Sequence, residues 1–285
     1  DMHLKKNKPK GIAVNGIPIR KASELFGIAN VVFFSPEDLN IIKNGPSERR
    51  RFLDLELCQV NKLYVHNLVN YNKILMQRNK CLKDLSFRPE YESTLEIWDE
   101  QLIRYGLPLM EYRKQFIDQL NRLIEVVHGK LTGKKEHLVL SYEPNVQPEE
   151  FSAVLVKNRE SDKKQKTTLS GPHRDDMSFF INQIDIRKFG SQGQQRTAAL
   201  SLKLSEIELV KKLTKDTPIL LLDDVLSELD SNRQNYLLSS IKDIQTIITC
   251  TGLEEFVNNR FEINRVYKVT GGVVEIPSPD HIRES

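Results

Sequence analysis

Three short stretches carry residue types able to hold a phosphate and a metal. In "PILLLDD" four apolar residues, Ile219 to Leu222, run straight into Asp223 and Asp224. In an open α/β sheet, ligands bind beyond the carboxyl ends of the strands, and a carboxylate there can hold Mg²⁺ against a substrate phosphate. Strand side chains alternate, so the two acids are expected to point different ways, one towards a metal and one towards an attacking water. The plainer alternative is a strand that stops at a polar turn. "SELD", Ser227 to Asp230, follows a few residues on. The third stretch, "FGSQGQQRT", places Ser191, Gln192, Gly193 and Gln194 at the mouth of a run, 194–213, without glycine or proline. A helix N-terminus offers unpaired N–H groups and a positive dipole end, which suits a phosphate. Gly193 would let a ligand approach the backbone closely. Ser191 would donate to a phosphate oxygen or, read alone, simply cap the helix.

The surrounding pattern must supply the strand and the helices that position these groups. "TPILLLDDVLSELDSNRQNYLLSSIKDIQTIITCT" reads as strand, loop, helix and β-branched strand, the βαβ unit of a parallel sheet. Near the start, "GIAVNGIPI" predicts a hairpin at Asn15-Gly16, and "VVFF" a buried strand before the helix-start pattern "SPEDL". Apolar residues at helical spacing, from Leu53 to Leu75 and from Trp98 to Val127, predict two long amphipathic helices filling most of 47–130, with Gly106 and Pro108 breaking or kinking the second. "HLVLSYEP" reads as a strand, 149–160 as a helix, and "KNRESDKKQK" as a charged helix end and loop. "MSFFINQIDIRKFG" predicts a hairpin at Asn182-Gln183, and "RVYKVTGGVVEI" another at Gly271-Gly272.

Composition bounds the class. The chain has 285 residues, 39% hydrophobic and 28% charged, which suits a globular protein with a sizeable core. Forty-two basic against 39 acidic residues leave a net charge of +3, so any basic surface must be local. The clearest local cluster is Arg49, Arg50 and Arg51, which would bind DNA phosphates or pair with acids such as Glu48 and Asp54. The cysteines Cys58, Cys81 and Cys250 form no zinc-type pair and suit a reducing compartment. No apolar run of roughly 18 residues is present, and "DMHLKKNKPK" has no signal-peptide pattern, so a cytoplasmic protein without a membrane partner is expected.

The ordered set of a Ser-Gln-Gly-Gln helix mouth, an apolar strand ending in paired acids and a Ser-x-Leu-Asp resembles the ABC-type ATPase heads of the SMC and Rad50 group. The wording is narrower still: "SPEDL…PSERRRFLD", "YNKILMQRN", "WDEQL", "GPHRDD", "SQGQQRTAALSLKL" and "LLLDDVLSELD" together resemble the RecF family of bacterial recombinational repair ATPases, over nearly the whole chain. The resemblance implies an α/β ABC-type (P-loop NTPase, Rad50-head-like) core. It would comprise an N-terminal ATPase lobe over 1–46, an inserted all-helical arm over 47–136, and a C-terminal lobe over 137–285. It implies that Ser191, Gln192, Gly193 and Gln194 form the signature motif, which contacts the γ-phosphate of ATP held by the other subunit. By the same resemblance Asp223 is the Walker B aspartate for Mg²⁺, and Asp224 stands where relatives carry a glutamate general base. Ser227 to Asp230 match the D-loop, Thr249 or Thr251 stands where many relatives have a switch histidine, and Glu37 is the Q-loop candidate. For "GPHRDD", Gly171 to Asp176, DNA or nucleotide contact by His173 and Arg174 stands beside a buried structural turn.

The Walker A loop, GxxxxGK[ST], occurs nowhere in the sequence; Gly129-Lys130 and Gly133-Lys134 lack both the earlier glycine and a preceding strand. The resemblance puts that loop upstream of Asp1, so the chain is expected to be N-terminally truncated. The function so implied is that of a slow, DNA-stimulated ATPase forming an ATP-dependent homodimer on double-stranded DNA near gaps and junctions. RecO and RecR would be partners, and RecA loading the outcome. The alternatives are a non-catalytic DNA- or partner-binding fragment, or another SMC-like head; the short helical arm argues against the last.

Overall fold

Asn61 divides what the apolar periodicity reads as one helix. In the computed structural model, which describes residues 2, 3, 5, 11–250 and 263–276, α1 (Asn40–Lys43) is followed by α2 (Pro46–Val60) and α3 (Lys62–Asp84). Asn61 lies between the last two in an extended conformation, and its side chain accepts the N–H groups of Leu63 and Tyr64. The expected single stripe from Leu53 to Leu75 is therefore two capped helices. Of the break or kink expected at Gly106 and Pro108, the break does not occur: α4 runs unbroken from Leu95 to Thr132 with Pro108 inside it. An interior proline costs about 3 kcal/mol locally, but α4 packs along α3, and tertiary packing of this kind supplies most helical stability. Gly106 serves that packing, since a Cβ there would lie 2.8 Å from the Phe151 ring and 3.1 Å from Tyr71.

These helices belong to the first of two compact units, Asp1–Val32 with Glu37–Pro218. Its small strands β1 (Met2–His3), β2 (Gly11–Val14) and β3 (Ile17–Ile19) are antiparallel, and both Asn15 and Gly16 have positive φ, as the Asn-Gly pattern predicts. β4 is Val31–Phe34. β5 (Leu138–Glu143), β6 (Asp176–Ile181) and β7 (Ile184–Asp185) form a second antiparallel sheet in that order, again with a left-handed pair, Asn182 and Gln183, at the turn. Between β5 and β6, α5 (Phe151–Gln165) carries most of the charged stretch 157–166 as helix rather than loop. α6 (Ile186–Phe189) and α7 (Gln192–Thr214) complete the unit.

One apolar core joins α2, α3 and α4 to β5, β6 and α7, through buried residues such as Leu53, Tyr71, Leu120, Leu140, Phe179 and Leu202. The helices expected as an arm over 47–136 thus share their core with residues beyond 137, and the division between compact units falls at Pro218–Ile219. The second unit, Phe33–Pro36 with Ile219–Ser285, holds the expected βαβ: β8 (Ile219–Asp223), α8 (Ser231–Ser240) and β9 (Thr246–Thr249), with β8 and β9 parallel and the sheet order β4-β8-β9. β10 (Lys268–Thr270) and β11 (Val273–Glu275) form the hairpin expected at Gly271-Gly272. Among the described residues no helix is long and apolar enough to cross a membrane.

Candidate functional site

The mouth of α7 meets the chemical demands of an anion site. Ser191 is the N-cap, and a reciprocal capping box forms: its hydroxyl oxygen accepts the Gln194 N–H at 3.2 Å, and the Gln194 carbonyl oxygen accepts the Ser191 N–H at 3.1 Å. Capping and ligand contact do not compete here. The Ser191 hydroxyl accepts in the cap, so its own proton is free to donate outward. Ser191, Gln192 and Gly193 are exposed, and the N–H groups of Gln192 and Gly193 have no partner among the described residues, as expected in a first helical turn. A Cβ on Gly193 would meet only the Ser191 hydroxyl, 3.9 Å away, and its φ is ordinary. Neither packing nor backbone conformation accounts for glycine there, and the absent side chain leaves the backbone open to close approach. The Gln194 side chain is held in place, because its amide NH₂ also donates one hydrogen to Glu136 at 3.0 Å and keeps the other.

The second unit assembles the acids at the carboxyl end of β8. Asp223 closes the strand opposite Thr249 on β9, and the Thr249 hydroxyl donates to Asp223 Oδ1 at 2.5 Å. Both are exposed. Asp224 does not continue the strand alternation. It lies past the strand end in a left-handed conformation, φ 49°, held by its N–H to the Thr249 carbonyl at 3.2 Å. Its side-chain direction therefore follows from a left-handed turn and not from the strand pleat on which the alternation was reasoned. Such strain at a non-glycine residue is typical of functional positions. The Ser227 hydroxyl donates back to the Asp224 carbonyl at 2.9 Å. Asp230 caps α8 through the Arg233 N–H and pairs with the Arg233 guanidinium, interactions that hold its carboxyl below the usual range. Thr251 lies outside the described residues.

Near the other candidates the structure redistributes roles. Glu37 is exposed on the turn Pro36–Leu39. The engaged acid of "SPEDL" is its neighbour Asp38, 3.9 Å from the buried Lys203 ammonium on α7, which also holds Glu206 at 2.7 Å. Burial works against the charge on Lys203, but Glu206, Glu56 and Asp38 outweigh it and raise its pKa. Burial and then Glu206 push Glu56 well above the usual carboxylate range. The signal was present in "ALSLKLSEIEL", where Lys203 and Glu206 stand three apart, one helical turn, among leucines and isoleucine.

The arginine cluster is not one surface. Arg49 is buried, donating to both Asp176 oxygens at 2.6 and 3.0 Å and to the Asn44 carbonyl, so it is a core ion pair and its partner is neither Glu48 nor Asp54. Arg50 is half-buried and donates to the Asp175 carbonyl at 2.7 Å; Arg51 is exposed. Asp175 and Asp176 come from "GPHRDD", which is a buried structural turn: Asp175 accepts from Arg113, Tyr142 and the Asn145 N–H. Gly171 there has φ 130°, and a Cβ would lie 2.5 Å from the Tyr71 hydroxyl. Arg174 is exposed.

His173 is held neutral in this turn. Its Nε2 faces the Thr168 carbonyl at 3.0 Å, which can only accept, so Nε2 carries the proton and Nδ1 accepts from the Tyr71 hydroxyl at 2.7 Å. Burial first, and the nearby Arg174, Arg50 and Arg113 charges, lower its pKa from 6.5 to about 4, against the Thr168 carbonyl. The unfolded chain binds this proton below about 6.5 and the folded one does not until about 4. Stability is therefore lost as pH falls through that window, by about 3 kcal/mol from this group. Glutamine can reproduce both hydrogen bonds without titrating, so denaturant melts of His173→Gln from pH 7 to 4.5 should show a shallower loss than the parent. Parallel curves would refute the assignment.

No protein-family model matches the chain. A DNA replication and repair protein RecF of Lachnospira eligens is 64% identical over 276 residues, covering 96% of this chain and 76% of the relative. The RecF of Lachnoclostridium phytofermentans is 65% identical over 275 residues, with the same coverage. A solved structure described as the recombination mediator protein RecF with ATP, in the RecFOR pathway, superposes with a TM-score of 0.89 at 36% identity, covering 97% of this chain and 75% of that one. The shared fold bears out the α/β ABC-type class that the resemblance implied. With 64% of residues shared over 96% of its length, the chain belongs to the RecF family of DNA replication and repair proteins.

Proposed function

We propose that this chain supplies the signature, Walker B and D-loop parts of a DNA-repair ATPase in which ATP joins two subunits on duplex DNA near gaps and junctions, with RecO and RecR as partners in loading RecA. Residues 47–136 would be the arm inserted into its ATPase core. The observation that carries the reading is the α7 mouth: two partnerless N–H groups, an outward hydroxyl proton on Ser191 and a glycine whose absent side chain nothing else explains. Such a mouth binds the γ-phosphate of a nucleotide held by the neighbouring subunit.

Mg²⁺ fits Asp223. No group of three or more metal-ligating side chains exists among the described residues, and Mg²⁺ typically takes one or two carboxylates with the rest of its shell from phosphates and water. Thr249 occupies one Asp223 oxygen and leaves the other open to a cation. The ion supplies charge neutralisation for phosphoryl transfer when bound. Asp224 accepts the proton of the attacking water; its one-carbon-shorter side chain and strained backbone suit slow turnover. Glu37 and the D-loop residues Ser227 and Asp230 report nucleotide occupancy across the dimer.

Ser191→Arg in the full-length protein fills the α7 mouth with a long side chain. ATP-driven dimerisation, read by sedimentation velocity, is expected to be lost while the melting temperature without nucleotide stays within a few degrees. Dimerisation that persists would contradict a trans signature.

A further inference from the structure

α3 carries a cationic face whose lysines have no ion-pair partner within 4.0 Å among the described residues. Its one carboxylate, Asp84, is its last residue, whereas Lys62, Asn72, Lys73, Met76, Lys80 and Lys83 are exposed. Lys163, Lys203 and Lys211 hold carboxylates at 2.7–3.2 Å. Lys73, Lys80 and Lys83 hold none within 4.0 Å among the described residues. Two clefts meet on this face: one of about 470 Å³ lined by Met76, Asn79, Lys80, Lys83 and Asp84, and one of about 150 Å³ lined by Arg50, Arg113, His173 and Asp54, with Asn72 in both; lysines and arginines outnumber the single carboxylate in each.

The donors along these clefts are oriented. The Asn79 carbonyl oxygen accepts the Thr168 N–H at 2.8 Å and the Thr168 hydroxyl at 2.7 Å. An N–H can only donate, so the amide is fixed with its NH₂ left over as a donor. Arg50 commits one nitrogen, to the Asp175 carbonyl, and is in no ion pair within 4.0 Å among the described residues. Burial, and then the Arg113 charge, lower its pKa, so an incoming anion would relieve it. From Lys73 to Lys83 the helix rises about 15 Å, the axial span of roughly four to five nucleotides of one strand.

We propose that the α3 face from Asn72 to Lys83, with Arg50 at one end, is a track for the phosphate backbone of DNA. The proposal rests on the DNA-repair reading above and adds to it the surface that grips the strand. Charge complementarity selects the occupant. Between Asn72 and Lys83 the one exposed apolar side chain is Met76, too little to anchor a protein partner, which needs a buried cluster of large side chains.

The test is Lys73→Gln/Lys80→Gln/Lys83→Gln in the full-length protein, titrated against a gapped duplex at several KCl concentrations. Each lost phosphate contact removes about 0.9 from the slope of log affinity against log salt. A slope shallower by about 2 to 3 is expected, with ATP-driven dimerisation and ATP hydrolysis without DNA unchanged. Arg50→Ala should lower the slope by about 1 more. An unchanged slope with DNA still bound overturns the track and leaves the repair reading standing. Loss of binding to an acidic protein partner, with the DNA slope unchanged, likewise overturns it in favour of a protein interface. If the parent protein binds no DNA at all, track and repair reading fall together.

Discussion

Asparagine in place of Asp223 is expected to lower ATP hydrolysis by the full-length protein by on the order of 100-fold or more. Asn keeps the size of the side chain and can still accept the Thr249 hydroxyl, so the β8–β9 register should survive. What is lost is the negative charge facing Mg²⁺, and a bound metal contributes several kcal/mol to stabilising charge in a transition state, each 1.4 kcal/mol being tenfold in rate. The effect should fall on kcat more than on the KM for ATP, because the carboxylate holds the ion and not the nucleotide. Steady-state kinetics over a Mg²⁺ series decide the matter. A variant that keeps more than a tenth of the parent rate would remove Asp223 from the metal role.

Arg113→Met is expected to cost about 3–5 kcal/mol of stability, the usual result of breaking a buried ion pair from one side. Arg113 on α4 is the hub of the turn that contains "GPHRDD". Its guanidinium donates to the Tyr64 hydroxyl at 3.0 Å, the Pro172 carbonyl at 2.6 Å, Asp175 at 2.9 Å and Asp54 at 2.7 Å. Burial works against its charge, but Tyr64, Asp54 and Asp175 more than compensate and raise its pKa. Methionine leaves the fully buried Asp175 without a counter-charge. Adding Asp175→Asn should recover part of the loss, because the orphaned charge goes with it. Urea midpoints of the two variants and the double measure both effects. A single-variant loss below 1 kcal/mol, or strictly additive losses, would show that the network is not what holds the turn.

The elements that could be read from the chain are those whose signals are local. Asn15-Gly16 adopts the left-handed pair a tight hairpin needs, and "ILLLD…TIIT" gives parallel neighbours because a helix between two strands returns the chain to pair in the same direction. The departures come from competition between levels. Asn61 splits an apolar stripe because a side-chain cap satisfies two N–H groups that the stripe pattern does not see. Pro108 stays inside α4 because packing on neighbouring helices outweighs a local penalty. Within the candidate site, the places of Ser191 and Gly193 at the mouth of α7 and of Asp223 at the end of β8 follow from residue type and position. The direction of Asp224 does not, because a left-handed backbone follows the strand where alternation assumed a pleat. The long-range partners were hidden for the same reason. Nothing near Arg49 in sequence announces Asp176, 127 residues on, and nothing near Asp38 announces Lys203.

In the proposed dimer the α7 mouth of one subunit serves the nucleotide of the other. This is tested most directly by mixing two inactive full-length proteins, Ser191→Arg and Asp223→Asn, in equal amounts and measuring ATP hydrolysis. If the signature acts in trans, a mixed dimer concentrates both defects in one site and leaves the other intact. Mixed dimers then restore a measurable fraction of the parent rate, since each keeps one intact site that can both join the two subunits and hydrolyse ATP. If Ser191 serves the ATP of its own subunit, every site in every dimer carries a defect, and the mixture is as inactive as its components.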